Sequence, residues 1–554
     1  MSVGRVSPRA VRLVTLLWLL GSLAGCRSEK AASTSDAAPS NPAPSVPCEG
    51  LTSLQLPHGA ITEARVVPAS NEPRSGPRGI DQGTLRLPAY CKVLGSSHPT
   101  SDSDIRFEVA IPVGDAWNGR FEQVGNGAFA GRIPEGDMFE PLAAGYATAG
   151  TDDGHEAGPA DASWAIGHPE KVIDFGYRAV KETHDAAIAI VRAYTGRAPR
   201  FSYFSGCSDG GREALTEAQR FPDDFDGIVA GAPTIPTTHV LFGFAWNFLA
   251  LVASPASYIP RAKLPAIEAA AMAACGDQDG VIQDPLSCRF DPAALRCKGG
   301  DAPGCLSDPQ IAALRKIYAG ATDPRTGASI EPGFEPGGEG EPPGPDPDGW
   351  AAWITGSGPG ADGASGQYRL AATFFSSMVF QRPGYDVRQL DLARDVATTD
   401  AKLAAILNPS NPDLGAFARR GGRLIHYHGW LDPVLPPRDS IAYHDAVERR
   451  MGDARASYRL FMAPGMLHCY GGRGPNVLDT RAAITAWVER GVAPDRLLAT
   501  KYVDDSPVKA VQQSGALCPY PERARWDGHG DRHLAESHIC EAPDGGSNPS
   551  GALR

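Results

Sequence analysis

The sequence predicts an α/β fold with a large insertion, and three observations carry that expectation. A short aromatic strand candidate, RFSYFSG (200–206), turns through glycines into GREALTEAQRF (211–221), which reads as a helix. Two later strand candidates, RLIHYHG (423–429) and YRLFMAP (458–464), each run into a loop presenting a polar residue at the carboxyl end, where open α/β sheets place their sites. Between GAPT (231–234) and GGRLIHYHG (421–429) the chain changes character. That stretch holds four cysteines and the Gly/Pro-rich EPGFEPGGEGEPPGPDPDG (331–349), a composition that predicts a surface loop or disorder.

The chain has 554 residues, long enough for one large domain with an insertion. Apolar residues make up 42% and charged residues 21%, an ordinary globular balance. A net charge of −12 with no long basic run gives nucleic acid no electrostatic footprint. Residues 1–26 read as an export signal: Arg5, Arg9 and Arg12 precede the short apolar run LVTLLWLLGSLAG. That run ends in Leu23-Ala24-Gly25-Cys26, which resembles a bacterial lipoprotein box with Cys26 as the lipidated residue. Residues 27–47, rich in Ala, Ser and Pro, read as a flexible tether between anchor and folded domain. The expected location is therefore the cell envelope, with membrane contact only through the lipid anchor.

Setting Cys26 aside leaves ten cysteines, an even number in an exported chain, which favours disulfides over free thiols. No C-x-x-C pair points to zinc. Spacing alone does not choose among the pairings. Proximity makes Cys275–Cys288, Cys297–Cys305 and Cys518–Cys540 plausible, with Cys48–Cys91 fastening the start of the folded region. Cys207 and Cys469 are then left over.

Gly206-Cys207-Ser208-Asp209-Gly210 fits G-x-S-x-G, the sharp strand-to-helix turn that exposes a nucleophilic serine. The remaining members of such a triad follow in the order acid, then histidine. Asp432 lies just past RLIHYHG, in a turn punctuated by Pro433, Pro436 and Pro437. His468 lies in the loop after YRLFMAP, directly before Cys469. His468 would take the Ser208 proton while Asp432 holds the imidazole tautomer and stabilises the imidazolium. His426 and His428 are rival bases, but they alternate within a strand and precede the acid. A disulfide between Cys207 and Cys469 would brace the nucleophile loop against the base loop.

GCSDGGREAL, YHGWLDPVLPP, GMLHCYGG and LCPYPERARWDG resemble the tannase and feruloyl esterase family, from about Cys48 to Cys540. The resemblance implies an α/β-hydrolase core with a large lid inserted between nucleophile and acid. The core would comprise residues 48–234 and 421–545, and the lid residues 235–420. It maps the family's triad onto Ser208, Asp432 and His468, and its linking disulfide onto Cys207 and Cys469. The implied activity is hydrolysis of aromatic (phenolic) acid esters through an acyl-enzyme. Another acyl substrate, or a non-catalytic binding protein on the same scaffold, is the competing reading.

The oxyanion hole calls for two backbone N–H donors. Asp209, after the nucleophile, supplies one. FEQVGNGAFAG (121–131) resembles the family's glycine-rich loop, and Gly127 is the choice for the second donor, with Ala128 its alternative. Catalysis needs no cofactor in this reading. The family also implies a structural calcium in the lid, here drawing on Asp277, Asp279, Asp284 and the Val281 carbonyl, although only one Asp-Gly stands where two are common. Trp350, Trp353, Phe374 and Phe375 are the lid aromatics expected to stack on a planar acyl group.

Overall fold

The computed structural model describes residues 46–75, 80–277, 280–341, 349–359 and 363–542. The leader, Cys26 and residues 27–45 of the tether lie outside the described residues, as does Asp279.

A nine-stranded sheet organises the fold. Its strands are β1 (Gly59–Val67), β2 (Tyr90–Ser97), β3 (Ile105–Pro112), β4 (Arg120–Val124), β5 (Ala147–Thr151), β6 (Phe201–Cys207), β7 (Gly227–Gly231), β8 (Arg423–Gly429) and β9 (Tyr458–Ala463). They lie in the order β1-β2-β3-β5-β4-β6-β7-β8-β9. The first three pairings are antiparallel and the rest parallel. Parallel strands covered on both faces read as continuous apolar runs. GIVAG in β7 is buried throughout, and Leu424 and Ile425 in β8 are fully buried.

Four helices matter for the site: α1 (Ala179–Thr195), α2 (Asp209–Arg220), α3 (Thr237–Leu251) and α4 (Pro437–Met451). α1 ends where Gly196 adopts the left-handed conformation (φ 75°), the usual glycine stop. α2 packs on β6 and β7, and α4 on β8 and β9. Helix α3 opens the long excursion between β7 and β8. That excursion closes one apolar cluster within itself, around Trp350, Ile317 and Phe334, and shares a second, around Phe242, Phe374 and Phe375, with Phe129, Phe175 and Leu435 outside it.

The Gly/Pro stretch differs from its expected surface-loop character. Within its described part, 331–341, Phe334, Glu335 and Glu339 are buried, and Glu335 pairs with Arg438 on α4. Glycines explain the close approach, since a Cβ at Gly338 would stand 3.0 Å from the Leu431 Cβ.

All ten remaining cysteines pair as expected: Cys48–Cys91, Cys207–Cys469, Cys275–Cys288, Cys297–Cys305 and Cys518–Cys540. Among the described residues no single helix is long and apolar enough to cross a membrane.

Candidate active site

Ser208 stands between β6 and α2 at φ 65°, ψ −120°, a conformation that costs a non-glycine residue on the order of 1–3 kcal/mol. The surroundings hold it there. Its N–H donates to the Gly231 carbonyl (3.0 Å), and its carbonyl accepts from the Arg212 N–H (3.1 Å). The turn admits no side chain at Gly206, where a Cβ would lie 2.5 Å from the Gly210 carbonyl oxygen. Ser208 and His468 line one cavity of about 1010 Å³.

His468 donates from Nδ1 to Asp432 Oδ2 (2.7 Å), which leaves Nε2 as the ring's free acceptor. Asp432 is fully buried and takes three further donors: Val434 N–H (2.7 Å) and Leu435 N–H (2.9 Å) on Oδ1, and His428 Nε2 (3.1 Å) on Oδ2. Burial pushes a carboxyl up, yet the flanking His468 and His428 hold Asp432 well below the usual carboxylate range. No hydrogen bond joins Ser208 Oγ to His468 among the described residues. Catalytic contacts of this kind are often long before substrate binds. The Cys207–Cys469 disulfide bonds their immediate neighbours, with the two Cα atoms 6.0 Å apart.

The loop after β4 faces the elbow. Gly210 N–H donates to the Asn126 carbonyl (2.7 Å), and Asn126 N–H donates to Glu213 Oε2 (2.9 Å). Asn126 also holds the Thr151 carbonyl through its side chain (3.0 Å). Within the described residues, the N–H groups of Gly127, Ala128 and Asp209 donate to no protein acceptor. Gly127 and Ala128 line the cavity, and Ala128 is itself left-handed (φ 54°). The loop therefore offers backbone donors beside the serine, as an oxyanion site requires.

Behind this half of the site lies a buried charge cluster that the sequence reading missed. Arg212, fully buried, clasps the Asp209 carboxylate (2.5 and 3.0 Å) and donates to the Gly176 (2.6 Å) and Phe175 (2.9 Å) carbonyls. Burial works against the Arg212 charge, but Asp209, Glu213 and Asp153 outweigh it. Carboxyl oxygens of Asp153, Asp209 and Glu213 lie within 4.8 Å of one another. Burial, then the Asp209 charge, pushes Glu213 up to about 7, and burial with Glu213 pushes Asp153 well above its ordinary value. The available signal was Asp209, Arg212 and Glu213 at helical i, i+3, i+4 spacing directly after the serine.

A family model described as "Tannase and feruloyl esterase" matches residues 91–541, most of the chain. The chain belongs to the tannase and feruloyl esterase family. It is 42% identical to an uncharacterized esterase of Xanthomonas campestris pv. campestris, covering 90% of this chain and 92% of that one. It is 31% identical to the mono(2-hydroxyethyl) terephthalate hydrolase of Piscinibacter sakaiensis, covering 82% and 85%. The crystal structure of feruloyl esterase B from Aspergillus oryzae superposes with a TM-score of 0.78 at 25% identity, covering 89% of this chain and 99% of that one. The protein is a carboxylic ester hydrolase on an α/β-hydrolase-type core.

Against this tannase and feruloyl esterase background, the expected aromatic contacts divide. Trp353 lines the cavity, its ring edge-on to His468 at 6.4 Å between centroids. Trp350, one helical turn away, is instead buried against Tyr318 and Phe334, and Phe374 and Phe375 are buried against each other and Phe242. These three are core residues and not cavity-lining ones, because large apolar rings gain most when fully buried among others. Of the calcium set, Asp279 lies outside the described residues, and the other members have the following partners. Asp284 is paired with Arg523 (2.6 Å), and the Val281 carbonyl accepts the Asp277 N–H (2.9 Å). Arg523 thus already gives one oxygen of Asp284 a cationic partner.

Proposed function

We propose that this esterase is exported and lipid-anchored, and that it hydrolyses esters of aromatic acids through an acyl-enzyme formed on Ser208. The observation that carries the mechanism is the shared cavity: a strained, elbow-mounted serine and an Asp432-bound histidine both line it.

In this reading His468 Nε2 removes the Ser208 proton as Oγ attacks the ester carbonyl. The resulting imidazolium is stabilised by Asp432, which is too strongly held as a carboxylate to take the proton itself. The oxyanion forms against the N–H groups of Asp209 and Gly127, with Ala128 beside them. His468 then protonates the departing alcohol, and a water activated by the same Nε2 releases the acid. Trp353, Leu370 and Val434 give the cavity an apolar wall suited to a flat acyl group. Relatives named for feruloyl and terephthalate esters support that substrate class.

Initial rates on methyl ferulate, methyl gallate and a short-chain aryl ester, for wild type and Ser208→Ala, test the reading. The expected result is turnover of a phenolic ester that drops at least about 10⁴-fold in Ser208→Ala. Equal rates for the two proteins on every ester would sink it. The leader and five disulfides support residence in an oxidising envelope compartment. Lipid labelling in cells should be present in wild type and absent in Cys26→Ser.

A further inference from the structure

The strand that delivers Asp432 also carries His426 and His428, both fully buried, and neither is used by the mechanism above. Two residues apart on β8, they share a face of the sheet, the one covered by α4. There they enter a continuous hydrogen-bonded array. Tyr458 Oη meets His426 Nδ1 at 2.9 Å, and His426 Nε2 meets Ser440 Oγ at 2.8 Å. Ser440 Oγ meets His428 Nδ1 at 2.6 Å, and His428 Nε2 meets Asp432 Oδ2 at 3.1 Å.

The direction of every proton follows from accounting. His428 Nε2 faces two acceptors, Asp432 Oδ2 and the Leu435 carbonyl (3.3 Å), so it carries hydrogen. Its Nδ1 is then the acceptor for the Ser440 hydroxyl proton. Ser440, its one proton spent, accepts from His426 Nε2–H, and His426 Nδ1 accepts from Tyr458. Reversing the array would aim the buried Tyr458 hydroxyl away from its one hydrogen-bond partner among the described residues, which is costly. Burial, with His428 and His444 nearby, keeps His426 far below its ordinary value and therefore neutral, as this assignment needs. All four donors thus point toward the catalytic acid, and aligned donors polarise one another.

We propose that His428, backed by Ser440, His426 and Tyr458, is a positioning residue that fixes Asp432 Oδ2 and sets the pH range in which His468 works as base. This rests on the triad reading. Oδ2 is shared between two imidazole N–H groups, so its charge is divided between them. Without the His428 donor, Asp432 would bind a His468 imidazolium more strongly, and the acid limb of the rate profile would move to higher pH. The other groups facing the array are His444 beside His426, and Tyr443, Glu448 and Asp445 around Tyr458. His468 and His428 are the groups that bear on Asp432.

The test is kcat and KM against pH for wild type, His428→Leu, His428→Gln, Ser440→Ala and Tyr458→Phe, with Ser208→Ala as blank and thermal unfolding in parallel. In His428→Leu, kcat is expected to fall about tenfold at near-constant KM, and the acid limb to rise by roughly half a unit or more. His428→Gln, which keeps a donor toward Asp432, recovers much of both. Ser440→Ala and Tyr458→Phe shift the limb the same way by successively smaller amounts. If His428→Leu does not fold, these two milder variants decide. Lowered Tm with an unmoved acid limb would assign the array a merely structural role and overturn the inference. Wild-type turnover no greater than that of Ser208→Ala would instead bring down the triad reading, and this inference with it.

Discussion

Asp432 and the Asp153–Glu213 pair stand behind the two halves of one site, Asp432 behind the histidine and the pair behind the oxyanion loop. All are buried to a similar degree, at 2%, 0% and 1% exposure. Asp432 collects two imidazole and two backbone donors and is held well below the ordinary range. Asp153 takes no N–H or hydroxyl donor among the described residues, and Glu213 takes the Asn126 N–H, the two carboxyls otherwise meeting only each other. Facing each other and Asp209, these two are pushed up, Asp153 most, so that near neutral pH the pair holds a proton where Asp432 holds none. Equal burial therefore predicts nothing by itself. The number and charge of the donors decide whether a buried carboxyl serves as an anion or as a protonated brace.

Asp432→Asn strikes this contrast hardest. An amide can present the wrong hydrogen to His468 Nδ1 and select the wrong tautomer, so kcat should fall about 10⁴-fold in a protein that still folds. Turnover within tenfold of wild type would remove Asp432 from the role of acid. Next in size is the covalent link between the halves, Cys207–Cys469, which closes a loop spanning 262 residues. Replacing both cysteines with serine should lower unfolding free energy by up to about 5 kcal/mol. Activity should be lost along with it, read by denaturant titration and ester turnover. Retained activity in the folded double variant would show that packing alone aligns the two loops.

The smallest effect belongs to the protonated pair. Glu213 ionises near its ordinary value when unfolded but only near about 7 when folded. Its contribution is therefore complete below the ordinary value and is lost as pH rises through about 7. That loss is on the order of 3 kcal/mol. Glu213→Gln cannot ionise, so its stability should decline less between pH 5 and pH 8 than that of wild type. Parallel declines in the two proteins would mean that Glu213 is already charged in the fold.

The elbow was legible because it is local: strand, glycine turn and helix within twenty residues around Ser208. Asp432 and His468 were legible as residues at strand ends. The array that joins His426 and His428 to Asp432 was hidden, because Ser440 and Tyr458 reach them only when α4 packs beside β9. Trp350 and Trp353 have similar sequence surroundings in one short helix, and only packing sends one against Phe334 in an apolar cluster and the other to His468.

By itself the sequence determined the order of the chemistry: an elbow serine, an acid and a histidine each after a strand, and cysteines placed beside two of them. These are properties of short segments, set by backbone geometry and side-chain chemistry within a few residues. The tertiary structure decided everything that depends on what a buried polar group faces. Asp432 met donors and became an anion, while Glu213 met other carboxyls and was pushed to keep its proton. Charge in a low-dielectric interior is set by neighbours brought together across hundreds of residues, and composition and spacing do not record that distance.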